Sequence, residues 1–320
     1  MLFRNYLRRE AVLSSKIEGT RTTLADLILY EASHVARAGS DDQAVSNYLA
    51  AFDYGRARCS ELRVGRTLFN EMHAILMRGT DEAQTTPGRV RDCLVVIGDP
   101  PMDNARFVPP PEIFVPELLD NLETYLATND EPPLVKLAIA HYQFETIHPF
   151  RDGNGRLGRL LISLWLHREG ILTEPMLYLS AYFERRRNEY YDAMLSVSTD
   201  GRWDDWVMFF LEGIRTQAMD ATDRTERLAQ MRQEYHRRLT GVRVPQNLHR
   251  LIDELFVQPA LSIPYACAIL GVTYPAAKTL IHRLIDAGVI AAESVRVRGT
   301  SFYVARDLIA ALDSPMGAVE

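Results

Sequence analysis

The sequence predicts a mainly α protein in which a helical core carries a β-hairpin and is followed by a small winged helix-turn-helix domain. Three observations predict this. Apolar residues recur at three- and four-residue steps through most of the first two-thirds of the chain. One β-branched-rich stretch, Leu94-Val95-Val96-Ile97, breaks that period and is followed by Gly98-Asp99-Pro100-Pro101 and then Arg106-Phe107-Val108, the signature of a hairpin. The last third changes to three short helical patterns and a second hairpin signal.

Taken in order, the helical period predicts helices over 3–18, 23–36, 44–60, 67–77, 113–127, 134–147, 155–169 and 188–197, with the hairpin over 91–108 between the fourth and fifth. Gly19 directly after Glu18 reads as the residue that ends the first helix, with Thr22 or Thr23 capping the next. From 203 to about 238 a long helix is apolar at first and then highly charged, as where a helix leaves one core for another. Helices over 248–257, 263–270 and 274–287, with Gly271 at the second turn, precede a hairpin over 289–303 around Arg298-Gly299. The expected organisation is an amino-terminal helical region over 1–60, a catalytic core over 61–216, a helical linker over 217–245 and the winged helix-turn-helix over 246–312.

The chain has 320 residues, 47% hydrophobic and 24% charged, which excludes disorder, collagen and rod-like coiled coils. Thirty-six Lys and Arg against 42 Asp and Glu leave a net charge of −6, so the chain is not built to coat nucleic acid or an anionic membrane. The longest apolar run, 160–166, is far short of the roughly 20 residues that cross a bilayer, and the first residues lack a secretory signal. The expectation is a cytoplasmic protein with no membrane partner. Cys59, Cys93 and Cys267 are odd in number and far apart, which suggests neither a disulfide framework nor a cysteine zinc site.

The chemistry concentrates in His148-Pro149-Phe150-Arg151-Asp152-Gly153-Asn154-Gly155-Arg156-Leu157-Gly158-Arg159. Pro149 disfavours helix at His148, which places the imidazole at the end of one helix. Gly153 and Gly155 permit positive φ and close backbone approach, and the next helix begins directly. Its amide hydrogens, the positive end of its dipole and the forks of Arg156 and Arg159 suit a phosphate. Asp152 beside that cradle suits Mg²⁺ held between carboxylate and phosphate oxygens. His148, with an ordinary pKa of about 6.5, can take a proton from an attacking hydroxyl.

These twelve residues match, at every specified position, the Fic family signature His-x-Phe-x-Asp/Glu-Gly-Asn-Gly-Arg-x-x-Arg, and similarity extends over roughly residues 10 to 215. The hairpin lies where that family has a flap for its targets. Leu177-Tyr178-Leu179-Ser180-Ala181-Tyr182 and Tyr190-Tyr191 resemble the helices that flank the nucleotide base. The resemblance implies transfer of AMP from ATP to a Ser, Thr or Tyr hydroxyl of a target protein, or of the chain itself. It implies His148 as general base, Asp152 as Mg²⁺ ligand, Gly153, Asn154, Gly155 and neighbouring amides at the α-phosphate, Arg156 and Arg159 at the β- and γ-phosphates, and Tyr191 at the base. One class of the family carries Ser/Thr-x-x-x-Glu-Gly/Asn in an inhibitory helix, matched by Ser14, Glu18 and Gly19. There the glutamate pairs with the second motif arginine, here Arg159, and Glu18 is expected to restrain the enzyme.

Rival readings come from other classes. Glu31-x-x-His34 and Glu145-x-x-His148 resemble the paired ligands of a di-iron bundle, which would need two further inward glutamates. Glu145 alternatively orients His148, and His141 reads as a packed core histidine. The carboxy-terminal domain raises a DNA-binding regulator with a degenerate or sensory Fic core: residues 271–306 hold Lys278, Arg283, Arg296, Arg298 and Arg306 against Asp286 and Glu293. Over 241–320, however, seven basic side chains balance seven acidic ones, so recruitment of a target or homodimerisation stands beside DNA binding.

Overall fold

The computed structural model describes residues 3–33, 40–79, 85–98, 105–128, 131–174, 176–239 and 245–314. Its elements run α1 (Phe3–Ile17), α2 (Leu24–Ser33), α3 (Asp41–Arg58), α4 (Arg66–Leu76), β1 (Ile97–Gly98), β2 (Ala105–Phe107), α5 (Val115–Ala127), α6 (Pro133–Ile147), α7 (Asn154–Arg168), α8 (Ser180–Arg185), α9 (Arg187–Asp200) and α10 (Trp203–Arg238). There follow α11 (Gln246–Leu255), β3 (Ala260–Ser262), α12 (Ile263–Leu270), α13 (Tyr274–Asp286), β4 (Ser294–Val297), β5 (Thr300–Val304) and α14 (Arg306–Asp313). The fold is mainly α, as expected. Among the described residues no helix is long and apolar enough to cross a membrane. Two compact units form and cut across chain order: one gathers 10–21 and 37–218, the other 1–9, 22–36 and 219–320.

In the first unit α7 is the central element. It is buried on almost every side, with Leu157, Leu160, Leu164 and Leu166 at 1% exposure or less, and it packs on α3, α4 and α6. Its leucines, with Ile162 and Trp165, face neighbours on several sides, and the buried Arg156, Arg159 and Ser163 are held by partners inside the core. At Gly55 of α3 a β-carbon would stand 2.7 Å from both Leu164 Cδ1 and Met72 Sδ, so three helices meet where a side chain is missing. Behind α6, His141 is 3% exposed, stacks on Phe183, Tyr190 and Trp206, and bonds the Tyr190 hydroxyl at 2.9 Å, the packed role expected of it. Burial lowers its pKa to about 3.

The flap differs from expectation. Among the described residues its ladder pairs only Ile97 with Phe107 and Gly98 with Ala105, and residues 91–96 form no strand. The β-branched run overstates the strand because Arg91, at its start, bonds the loop after α6 instead of a partner strand. The tip over 99–104 lies outside the described residues, as do the end of the second helix with His34 and the boundary at 240–244.

In the second unit β3, β5 and β4 form an antiparallel sheet in that order, with α11, α12 and α13 arranged at the positions where three helices were expected. Gly271 joins α12 to α13 at φ 66°, and Arg298 and Gly299 turn β4 into β5 at φ 45° and 83°, the positive pair a tight hairpin requires. The period missed α8, β3 and α14. β3 is three residues buried on both faces, so it has no alternation to detect. Arg224, fully buried, pairs with Asp220 at 2.9 Å and donates to the carbonyls of Ala311, Leu312 and Ser314, which ties α14 to the charged half of α10.

Candidate active site

The site grows from the end of α6. Pro149 stops the helix, and His148 adopts φ 49° and ψ 61°, a left-handed backbone uncommon for a residue with a side chain. Gly153, at φ 79°, opens α7. Between them the chain turns back on itself around Asn154, whose amide accepts from Phe150 N at 2.9 Å and donates to Phe150 O at 2.8 Å. Below the turn, His73 of α4 stacks on Phe150 with ring centroids 3.8 Å apart. Its Nδ1 accepts from Gly88 N and its Nε2 donates to Asp152 O, both at 2.9 Å, which fixes one neutral tautomer. Burial lowers the His73 pKa to about 4, so that tautomer persists near neutral pH.

His148 lines a cleft of about 680 Å³, its open mouth included, together with Gly155, Arg159, Glu145, Tyr191, Ile97 and Arg106. The imidazole Nδ1 lies 3.2 Å from the carbonyl of Glu145. With Nδ1–H donating there, Nε2 keeps its lone pair and is the proton acceptor. Burial lowers the pKa of His148 to about 4, so the neutral base predominates. It is the carbonyl of Glu145, and not its carboxylate, that orients the imidazole. The carboxyl is pushed by burial up to about 7, and its Oε1 has no hydrogen-bond partner.

Glu18 and Ser14 lie against Arg159. Arg159 Nη2 donates to Glu18 Oε1 at 2.6 Å and to Ser14 O at 2.9 Å, while Nε donates to Ser14 Oγ at 2.9 Å. The guanidinium is 1% exposed, and its donors are directed at the end of α1. Burial pushes the Glu18 carboxyl upward, but the charge and hydrogen bond of Arg159 outweigh it and hold the pKa below the usual range. A β-carbon at Gly155 would lie 2.4 Å from Glu18 Oε1 and 2.9 Å from Arg159 Nη1, so the missing side chain admits the carboxylate onto the first turn of α7. Sequence reasoning missed Glu10, two turns earlier on the same helix. It is 2% exposed and accepts from the hydroxyl of Ser180 and, at 3.3 Å, from its amide, which seats the carboxy-terminal half of α1 on α8.

The remaining expected residues divide. Tyr191 lines the cleft beneath Arg106 of β2, whose Cζ lies 5.3 Å from the ring centroid and whose guanidinium pairs with Asp192. Asn154 is 2% exposed and saturated by Phe150, so its amide shapes the turn. Arg156 is 6% exposed, reaches Met77 Sδ and Asp152 at 3.5 Å, and does not line the cleft. The Asp152 side chain is 59% exposed, and one of its oxygens accepts from Gly153 N at 2.6 Å. Among the described residues no group of three or more His, Cys, Asp or Glu could hold a metal. A lone exposed carboxylate fits Mg²⁺ held mainly by phosphate and water. Glu31, from the di-iron reading, is engaged instead by Arg4 at 3.0 Å and Arg8 at 2.6 Å.

Residues 64–166 match the model of the Fic/DOC family, and residues 1–57 match that of the Fic/DOC family N-terminal region. Protein adenylyltransferase fic-1 of Caenorhabditis elegans is 35% identical over 144 residues, 43% of this chain and 25% of that protein. Protein adenylyltransferase Fic of Aedes aegypti is 33% identical over 121 residues, 37% of this chain and 21% of that one. The match thus spans about a quarter of the length of these curated relatives. A crystal structure of a Fic family protein from Desulfovibrio desulfuricans shares the fold with a TM-score of 0.61 at 24% identity, covering 95% of this chain and 87% of that one. Fic-1 from C. elegans does so with a TM-score of 0.52 at 23% identity, covering 67% and 61%.

Proposed function

This chain belongs to the Fic/DOC family, and on that premise we propose that it transfers AMP from ATP to a Ser, Thr or Tyr hydroxyl of a protein. The observation that carries the reading is the neutral His148, its Nδ1 committed to the Glu145 carbonyl, in a cleft shared with the first turn of α7 and Arg159. The target oxygen attacks the α-phosphorus and gives its proton to His148 Nε2. The bond from that phosphorus to the bridging oxygen breaks, and pyrophosphate leaves. Amides at the start of α7 meet the α-phosphate, where helix N-termini favour anions. Arg159 meets the terminal phosphates and Tyr191 flanks the base. Asp152 would hold Mg²⁺, which neutralises polyphosphate charge when bound. Such transfer depends chiefly on positioning and charge stabilisation, which these groups provide.

In the state described, Arg159 is engaged by Glu18 and Ser14, and this occupancy supports autoinhibition: the guanidinium that would meet the γ-phosphate is already taken. Incubation with ATP labelled at the α-phosphate and Mg²⁺, with lysate protein as acceptor, tests both parts. Glu18→Gly is expected to label protein at least about tenfold faster than the parent, the effect of removing roughly 1.4 kcal/mol of competition. His148→Ala in the same background is expected to label nothing. Equal labelling by parent and Glu18→Gly would remove the brake, and label from the γ-phosphate would replace adenylyl transfer by a kinase-like reaction.

A second reading rests on the other unit, read as a winged helix-turn-helix. The exposed side of α13 presents Lys278, the hairpin carries Arg296 and Arg298, and among the described residues none of the three has an ion pair. That supports contact with duplex phosphates. Retention of the full chain on duplex DNA, falling steeply with salt and lost in an Arg296→Ala, Arg298→Ala double variant, would favour it.

A further inference from the structure

The left-handed backbone at His148 persists only if its surroundings hold it, since such a conformation costs a non-glycine residue about 1–3 kcal/mol. One buried cation reaches that backbone from outside the turn. Arg91 is 2% exposed; no ion pair within 4 Å reaches it among the described residues, and the charge of Glu112 acts on it only from further off. Its guanidinium distributes its donors over four carbonyls. Nε reaches His148 O at 2.8 Å, Nη2 reaches Ile147 O at 3.3 Å and also Pro110 O, and Nη1 reaches Cys93 O at 3.0 Å. Its backbone N–H donates to Pro149 O at 2.9 Å. Two of these carbonyls close α6, where unpaired acceptors and the negative end of the dipole favour a cation. The other two, at Cys93 and Pro110, stand on either side of the β1–β2 hairpin, where it leaves and rejoins the body.

We propose that Arg91 is a positioning residue of the transfer reaction: one guanidinium fixes the backbone that presents the base and clamps both roots of the flap, so that a target strand on the flap arrives in register with His148. This rests on the adenylyl-transfer reading above. Arg91 does not line the cleft; it acts through the carbonyls it holds, and its charge adds to the burial that lowers the pKa of His148. A planar fork can reach several carbonyls at once, whereas a lysine ammonium is a single point of donation and cannot span both α6 and the two roots.

The test uses the full chain in the Glu18→Gly background, with Arg91→Lys and Arg91→Ala. Rates of labelling of lysate protein from α-labelled ATP are read beside ATP affinity by calorimetry and the thermal midpoint. Arg91→Lys is expected to cut the labelling rate about a hundredfold, the cost of displacing a reacting group by about 1 Å, with ATP affinity within about twofold of the background. Millimolar guanidinium is expected to restore part of the rate to Arg91→Ala without changing ATP affinity. Parental labelling by a folded Arg91→Lys overturns the proposal. So does loss of ATP affinity in step with labelling, which would make Arg91 part of nucleotide binding or of general stability. If Glu18→Gly itself neither binds ATP nor labels protein, the transfer reading fails first and takes this proposal with it.

Discussion

At the residue scale, three buried imidazoles and one buried carboxyl make stability depend on pH with opposite signs. His73, His141 and His148 are lowered by burial to about 4, 3 and 4, against an ordinary value of 6.5. Between pH 6.5 and about 4 the unfolded chain therefore binds more protons at these sites, and their contribution to stability is lost as pH falls through that window. Glu145 has the opposite sign. Burial raises it from 4.5 to about 7, so the folded state binds the extra proton and stability is lost as pH rises through that range. Where the windows overlap, three groups outweigh one, and urea midpoints measured from pH 7.5 to 5 should fall towards acid. Glu145→Gln should stabilise the protein by roughly 3 kcal/mol at pH 8 and by less than about 1 kcal/mol at pH 5, because a tenfold change in proton affinity is worth about 1.4 kcal/mol. Equal gains at both values would show that Glu145 is not a buried acid. Ser14→Ala removes the acceptor of Arg159 Nε but leaves Glu18 in place. Its labelling rate should lie between those of the parent and Glu18→Gly, since a hydrogen bond to a charged group contributes about 1.5–3 kcal/mol.

At the scale of elements, helix packing decides where the chemistry can sit. α7 begins at the turn that follows His148 and is buried along its length, so its first turn is fixed by the core behind it. A close apolar approach in that core is at Gly55, where Gly55→Ala would push a β-carbon to 2.7 Å from Leu164 and Met72. Overpacking of this kind costs about 1–3 kcal/mol, which urea unfolding can measure. An unchanged midpoint would mean that α4 and α7 yield without cost. Element identity was legible wherever the period ran long: α12 and the long α10 appear at the expected residues, and α1 stops one residue early before Gly19, at φ 99°. Short elements were not legible, because six residues of α8 and three of β3 carry too few turns or alternations to distinguish them from loop. The flap strand was overread because β-branched composition reports a preference for extended backbone without naming a partner.

At the scale of the whole molecule, the two compact units each have a buried ion network, and each can be broken separately. Arg224→Ala would leave Asp220 without its 2.9 Å partner and strip the cation from three carbonyls at the end of α14. Removing one partner of a buried pair costs about 3–5 kcal/mol, so hydrogen exchange should speed at residues 306–313 while 154–168 remain protected. Loss of protection in both would show that the network supports more than its own unit. The sequence by itself determined the helical class and the glycine-bounded turn between α6 and α7, because proline, glycine and helical period act locally and leave their mark on neighbouring positions. Ser14 and Glu18 were legible only through resemblance, as nothing near them in the chain names Arg159, 141 positions beyond Glu18. Only the tertiary structure decided that Asn154 is consumed by the turn, that Arg156 is buried beside Met77, and that His73, Glu10 and Arg91 support the site from separate elements. Those roles depend on which carbonyls and hydroxyls meet across the core, and a hydrogen bond between distant residues imposes no spacing on the chain that makes it.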